Sequence, residues 1–197
     1  MSPETSLLCQ NRNVTSANFF TNAVNTHTEG VDVVFAYGIE AFGSALDLST
    51  GYAGAKTNIE DVNRAADPDL ILVGIEESNT IEEAAPNDRI VLSAQWYTDA
   101  VSLLTRVTRW GETARAFNFG GGFEPEQTYG SEWQLDIEGS YNIFPGVQMF
   151  LGASNLLDAY PDKSSAEISY FGNLPYDVLS PVGMNGRFTY GGARVSL

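Results

Sequence analysis

The sequence predicts an all-β fold: an antiparallel transmembrane β-barrel segment of about eight strands, with short periplasmic turns and long extracellular loops. Three observations lead there. Apolar residues recur at every second position over runs of about ten residues, the length at which a tilted strand crosses a bilayer. The joints between these runs alternate between short and long. The last eight residues, Tyr190-Gly191-Gly192-Ala193-Arg194-Val195-Ser196-Leu197, alternate up to the carboxyl terminus, as a barrel-closing strand does.

Composition narrows the classes. Mean hydropathy is −0.13, and no stretch approaches the roughly 18 consecutive apolar residues that a spanning helix needs, so a helical membrane protein is excluded. A barrel is not, because its strands need only every second residue apolar and its polar lumen dilutes the average. A net charge of −15, with only 10 Lys and Arg, excludes nucleic acid as a partner. The single cysteine, Cys9, and the single histidine, His27, exclude a disulfide framework and a multi-histidine metal cluster. Met1 to Cys9 has neither a basic region nor a long apolar one, so it is no export signal. Leu7-Leu8-Cys9 falls short of a lipoprotein box, because Leu8 stands where a small residue is required.

The expected strands follow in order. The least regular covers Ser16 to Asn25. Next, Val31, Val33, Phe35 and Tyr37 share a face, and a brief Ile39 to Ser44 turn leads to Leu46, Leu48, Thr50 and Tyr52. After a long loop, Ile90, Leu92, Ala94 and Trp96 oppose Arg89, Val91, Ser93 and Gln95; a Tyr97-Thr98-Asp99 corner then starts the strand of Val101, Leu103 and Val107. A glycine-rich loop, Gly111 to Gly130, precedes the cleanest alternation, Trp133, Leu135, Ile137, Gly139 and Tyr141. The Ile143-Phe144-Pro145-Gly146 turn joins it to Val147, Met149, Leu151 and Ala153, and a last long loop from about Leu157 to Asn185 reaches the terminal strand.

Parity puts the turns at 39–44, 97–99 and 143–146 on one side and every long connection on the other. Aromatic residues gather at both ends, Tyr37, Trp96, Tyr97, Tyr141 and Phe144 near the turns and Tyr52, Trp110 and Trp133 near the loops. Amphipathic rings prefer headgroup depth. A soluble antiparallel sandwich accounts for the alternation but not for the two aromatic levels or the rhythm of the joints.

Longer segments resemble the carboxy-terminal barrel of TonB-dependent outer-membrane receptors. Phe19 to Asp32, with Asn22-Ala23 and Thr28-Glu29-Gly30-Val31-Asp32, is similar to a hairpin of that family. Ile81 to Ser93 is similar to its Glu-x-Ala-x-Pro approach to a strand. Leu151-Gly152-Ala153-Ser154-Asn155-Leu156-Leu157-Asp158-Ala159-Tyr160-Pro161 resembles its Gly-Ala-x-Asn-Leu-Phe-Asp-x-Tyr-Pro segment, with Leu157 replacing the aromatic. Ser180-Pro181-Val182-Gly183-Met184-Asn185-Gly186-Arg187-Phe188 resembles the lead into its last strand, although the chain ends in Leu197 where the family usually has Phe.

The resemblance implies a fragment of a receptor for energised uptake of a scarce nutrient, an iron chelate, cobalamin or saccharide. Such receptors have a plugged barrel of roughly 22 strands. Residues 1–16 are then an irregular amino-terminal remnant, and residues 17–197 the carboxy-terminal portion of the barrel, without the plug and the earlier strands. Implied partners are outer-membrane lipid, the barrel assembly machinery and, in an intact receptor, TonB and a small-molecule ligand; the implied location is the outer membrane of a Gram-negative bacterium. The alternatives are a small eight-stranded outer-membrane barrel with a structural or adhesion role, and a soluble ligand-binding β-domain.

No catalytic, cofactor or metal site is expected, and the ligand-binding residues are left unassigned. His27 reads as a surface histidine at a Thr-rich hairpin tip, Cys9 has no partner for zinc, and Gly120-Gly121-Gly122 reads as loop flexibility rather than a phosphate cradle. From Asn58 to Asp88, the carboxylates Glu60, Asp61, Asp67, Asp69, Glu76, Glu77, Glu82, Glu83 and Asp88 face only Arg64. They read as an acidic solvated loop with a short helix over Ile81 to Ala85, against a cation-attracting surface as the sharper alternative. The run Leu70-Ile71-Leu72-Val73-Gly74-Ile75 is expected to pack on neighbouring loops. Asp47, Arg89, Arg106, Asp136 and Glu138 share the lumen-side register, where a structural role, pairing with one another or with a plug, is expected, against a ligand-binding role as the sharper alternative.

Overall fold

A computed structural model describes residues 22–41, 43–63, 71–170 and 172–196. The chain is all-β and antiparallel, with one short helix among the described residues. In order the elements are β1 (Val24–Ala41), β2 (Ser44–Val62), α1 (Ile75–Glu82), β3 (Asp88–Tyr97), β4 (Val101–Trp110), β5 (Thr113–Ala116), β6 (Glu126–Tyr129), β7 (Glu132–Phe144), β8 (Val147–Ser154) and β9 (Phe188–Val195). Seven strands form one sheet in the order β1-β2-β3-β4-β7-β8-β9, and β5 and β6 pair separately.

Because every sheet strand pairs with its predecessor in that order, the joints fall into two groups by position. The tight ones, at 41–44, 97–101 and 144–147, lie at one end, which we term the turn end. There Thr98 Oγ1 accepts the amides of Ala100 and Val101, at 3.3 and 3.0 Å. Gly146, at φ 82°, supplies the reversal after Pro145, and its carbonyl accepts the Ser196 amide at 2.9 Å. The β2–β3, β4–β7 and β8–β9 connections all lie at the opposite, loop end.

The register aligns the alternation of each strand with that of its neighbour. Tyr37 lies opposite Leu48, Leu48 opposite Ala94, Ala94 opposite Thr105, Thr105 opposite Ile137, and Ile137 opposite Ala153. A period of two then places every second residue of all seven strands on one apolar face. That face is bare: Val33 is 56% exposed, Phe35 60%, Tyr141 55% and Leu151 71%. Among the described residues no second sheet and no helix covers it. Buried apolar side chains gather instead at the loop end, where Ala84, Ala116, Phe117, Tyr129 and Ile168 form a small core.

Several expectations need correction. Among the described residues the sheet has seven of the about eight expected strands, with β1 and β9 as unpaired edges and no closure between them. Of the strand expected over Ser16 to Asn25, residues 16–21 lie outside the described residues, as do residues 1–15, and Val24 and Asn25 open β1. β1 and β2 run well past the expected spans, because their outer parts, 24–30 and 53–62, are mostly polar, charged or small residues and hide the apolar alternation; Thr28 and Thr57 hydroxyls bond there at 2.8 Å. The helix sits at Ile75–Glu82 rather than Ile81 to Ala85. Glu76 and Glu77 in its first turn suit the helix dipole, and Pro86 blocks extension beyond the expected end. The glycine-rich loop contains the β5–β6 hairpin, whose four-residue strands are too short for periodicity to register. β7 continues to Phe144, past the expected turn start, through a register shift between Asn142 and Phe144.

Candidate site: a loop-end cluster above a polar sheet face

The face opposite the apolar one carries Asp47, Arg89, Arg106, Asp136 and Glu138, as their shared register implies. Among the described residues, none of the five forms an ion pair with another. Arg89 lies over the Trp110 ring at 5.7 Å. Asp136 Oδ1 accepts from Gln134 at 2.7 Å, Ser154 at 3.0 Å and the Asn155 amide at 2.9 Å. Glu138 accepts the Tyr190 hydroxyl at 3.0 Å and pairs with Arg194 at 3.4 Å. Asp47 and Arg106 border a shallow concavity of about 460 Å³ with Ser49, Ser93 and Gln95.

On β8 and β9 this face is layered by ring and glycine. Gly152 lies opposite Tyr190 and Phe150 opposite Gly192. A Cβ at Gly152 would run into the Tyr190 ring, and one at Gly192 would meet Phe150 at 2.9 Å. The glycines leave room for rings to lie flat on the strand, and the Arg194 guanidinium stacks on Phe150 at 4.4 Å.

The loop end is built differently, with the long connections locked together by a buried ion pair. Arg115 on β5 donates through Nε to Asp177 Oδ2 at 3.1 Å, with side chains only 9% and 8% exposed. Its Nη1 reaches Thr80 of α1 at 3.0 Å, and its guanidinium lies 5.1 Å over Phe117. Three connections therefore meet at one guanidinium, whose planar fork serves several partners at once. Asn79 Oδ1 accepts the Ala116 amide at 2.9 Å. The Tyr129 and Ser164 hydroxyls bond at 2.9 Å, and Gln127 bridges Lys163 and Ser165. Burial, reinforced by Asp177 and offset by Ser164 and Arg115, pushes the Tyr129 phenol above its ordinary range.

At the tip of the β5–β6 hairpin, Gly120, Gly121 and Gly122 all adopt positive φ, at 79°, 64° and 79°. The triplet expected to supply flexibility instead forms a defined reversal, in which the Phe119 amide bonds the Phe123 carbonyl at 3.1 Å. Phe117 stacks on Phe119 and Phe119 on Phe123, each pair with centroids 5.9 Å apart, and Tyr170 meets Phe119 edge-on at 5.7 Å.

The acidic segment does not act as one surface. Asp67, Asp69, Arg64 and Leu70 lie outside the described residues. Glu82 Oε1 accepts the Ile59 amide at 2.7 Å, Glu77 Oε2 the Gly74 amide at 2.9 Å, and Glu76 Oε2 the Asn118 amide at 3.3 Å. Asp88 pairs with Arg109. Glu60, Asp61 and Glu83 remain on strand and helix ends. Of the run expected to pack on neighbouring loops, Leu72, Val73 and Ile75 are half-buried while Ile71 is 79% exposed. His27 is exposed as expected but sits within β1, not at a hairpin tip, because the strand runs through it to Val24; its Nε2 is 4.0 Å from Glu29. Cys9 lies outside the described residues. Among the described residues no three His, Cys, Asp or Glu side chains gather as metal ligands would.

Sequence reading missed Arg115, Asp177 and the ring cluster. One signal was available: Arg115 is the sole cation between Trp110 and Asp162, flanked by Phe117, Phe119 and Phe123. No protein-family model matches the chain, and no curated protein matches it.

Proposed function

We propose that this chain is part of the barrel wall of a TonB-dependent outer-membrane receptor, taking part in energised uptake of a scarce small molecule such as an iron chelate, cobalamin or saccharide. Its apolar face meets lipid, its polar face lines the lumen, and the loop end faces outward to capture the ligand. The wall closes only with further strands beside β1 and β9, and transport requires a plug and TonB. The chain itself performs no chemistry in this reading. Assembly machinery and outer-membrane lipid are its other partners, in a Gram-negative cell.

The observation that carries the reading is the bare apolar face, continuous across seven strands. Soluble monomers rarely expose apolar patches beyond a few hundred Å². Rings bound it at both levels: Trp133, 51% exposed, and Tyr141, 55% exposed, stand at the two ends of β7. The strand between them spans about 26 Å at about 3.3 Å per residue, or about 20 Å of depth at a tilt near 40°, comparable to the apolar band of known barrels. The segregation of tight turns from long connections supports the same orientation.

The test uses the full chain refolded into lipid vesicles, with a nitroxide placed in turn at Leu48, Ser49, Leu92, Ser93, Met149 and Gln148. Oxygen collisions should exceed those with a polar nickel chelate at 48, 92 and 149, and the order should reverse at 49, 93 and 148. Equal accessibility at neighbouring positions, or a monodisperse chain in detergent-free buffer, overturns the proposal.

A further inference from the structure

We propose that the ring cluster at the β5–β6 tip docks a soluble organic cation, a quaternary ammonium or guanidinium compound. This goes beyond the receptor reading, on which it rests only for the loop end being ligand-facing. Aromatic faces attract cations through the ring quadrupole, most strongly where several rings surround the charge. The cluster already holds one such pair, Arg115 over Phe117, which is internal and committed to Asp177 and Thr80. The remaining rings face water: Phe119 is 42% exposed, Phe123 48% and Tyr170 47%.

The Phe119–Phe123 backbone bond and the amide of Gly120 on Asn118 Oδ1 at 2.9 Å shape the hairpin tip that brings Phe119 and Phe123 together, and Tyr170 meets Phe119 edge-on.

Charge selects among occupants. Glu76 brings a carboxylate to the base of the tip through the Asn118 amide. The connections 71–87, 111–131 and 155–187 together carry eleven Asp and Glu against three Lys and Arg. An anion is repelled by that field, and a neutral apolar ligand gains nothing from it; a cation gains from rings and carboxylates together.

The experiment titrates the full chain in dodecyl maltoside micelles, whose headgroups are uncharged, with choline and with neohexanol, in which carbon replaces the ammonium nitrogen. Calorimetry should give saturable choline binding at least about tenfold tighter than neohexanol, and Phe119→Leu and Phe123→Leu should each weaken choline roughly threefold to thirtyfold. Each variant must keep the wild-type circular dichroism, and Phe119→Tyr, which restores a π face, should restore binding. Equal affinity for the two probes, absence of saturable choline binding, or leucine variants that bind as the parent does overturn the assignment. Nitroxide alternation on the strands is independent of these results, so either proposal can fail alone.

Discussion

Asn155 carries the turn that leaves β8. Its backbone sits at φ 52°, a left-handed conformation that asparagine tolerates better than most residues. Its side chain closes the turn on Ala159 twice, donating to the carbonyl at 2.7 Å and accepting from the amide at 2.8 Å, while its own amide bonds Asp136. Only 4% of it is exposed, so water does not replace these bonds. Asn155→Ala should cost about 2–4 kcal/mol through orphaned polar groups and backbone strain, read as faster proteolysis within residues 156–187. Asn155→Gly should cost less, since glycine removes the strain and leaves only the lost bonds. The asparagine of the segment that resembles the receptor family therefore has a structural reason of its own.

At the scale of the strand, the two faces should respond oppositely to the same charge. Leu92 is central in β3 and 44% exposed on the apolar face, with Ser93 beside it on the polar face. Leu92→Arg should lower insertion into vesicles by about 2–4 kcal/mol, as a charge near the midplane does, while Ser93→Arg should change it by less than about 1 kcal/mol. Insertion yields across a urea series measure both. Equal effects at 92 and 93 would place neither face in hydrocarbon. The β8–β9 pair illustrates why strand glycines in this chain are not weak points: Gly152 and Gly192 exchange their own packing for flat seats under Tyr190 and Phe150.

Across the molecule, stability is divided. The sheet is joined by backbone ladders with a bare face, whereas the loop end has the buried core and the Arg115–Asp177 pair. Removing one partner of a buried pair strands the other charge, so Asp177→Leu or Arg115→Met alone should cost about 3–5 kcal/mol of loop-end stability. The double variant should recover much of that, because neither charge is then left alone. Amide exchange in α1, in the β5–β6 hairpin and around Ile168 should quicken together in the single variants, with β2 and β3 unchanged. Exchange confined to one connection would mean that the guanidinium is not their common tie.

Much of the sheet is legible in the sequence alone. Side-chain alternation is local, and tight turns have local chemistry, as at Thr98 and Pro145-Gly146, so strand order, parity and the two faces follow from nearest neighbours in the chain. The shared face of Asp47, Arg89, Arg106, Asp136 and Glu138 was legible for the same reason, but their partners were not: Arg194 lies 56 residues from Glu138. The outer parts of β1 and β2 escaped because their polar, charged and small residues carry little apolar alternation. The loop-end cluster was invisible, since it joins Thr80, Arg115 and Asp177 across connections with no periodicity. Local pattern is written in spacing along the chain, whereas a buried ion pair between loops exists only once the strands have brought their ends together.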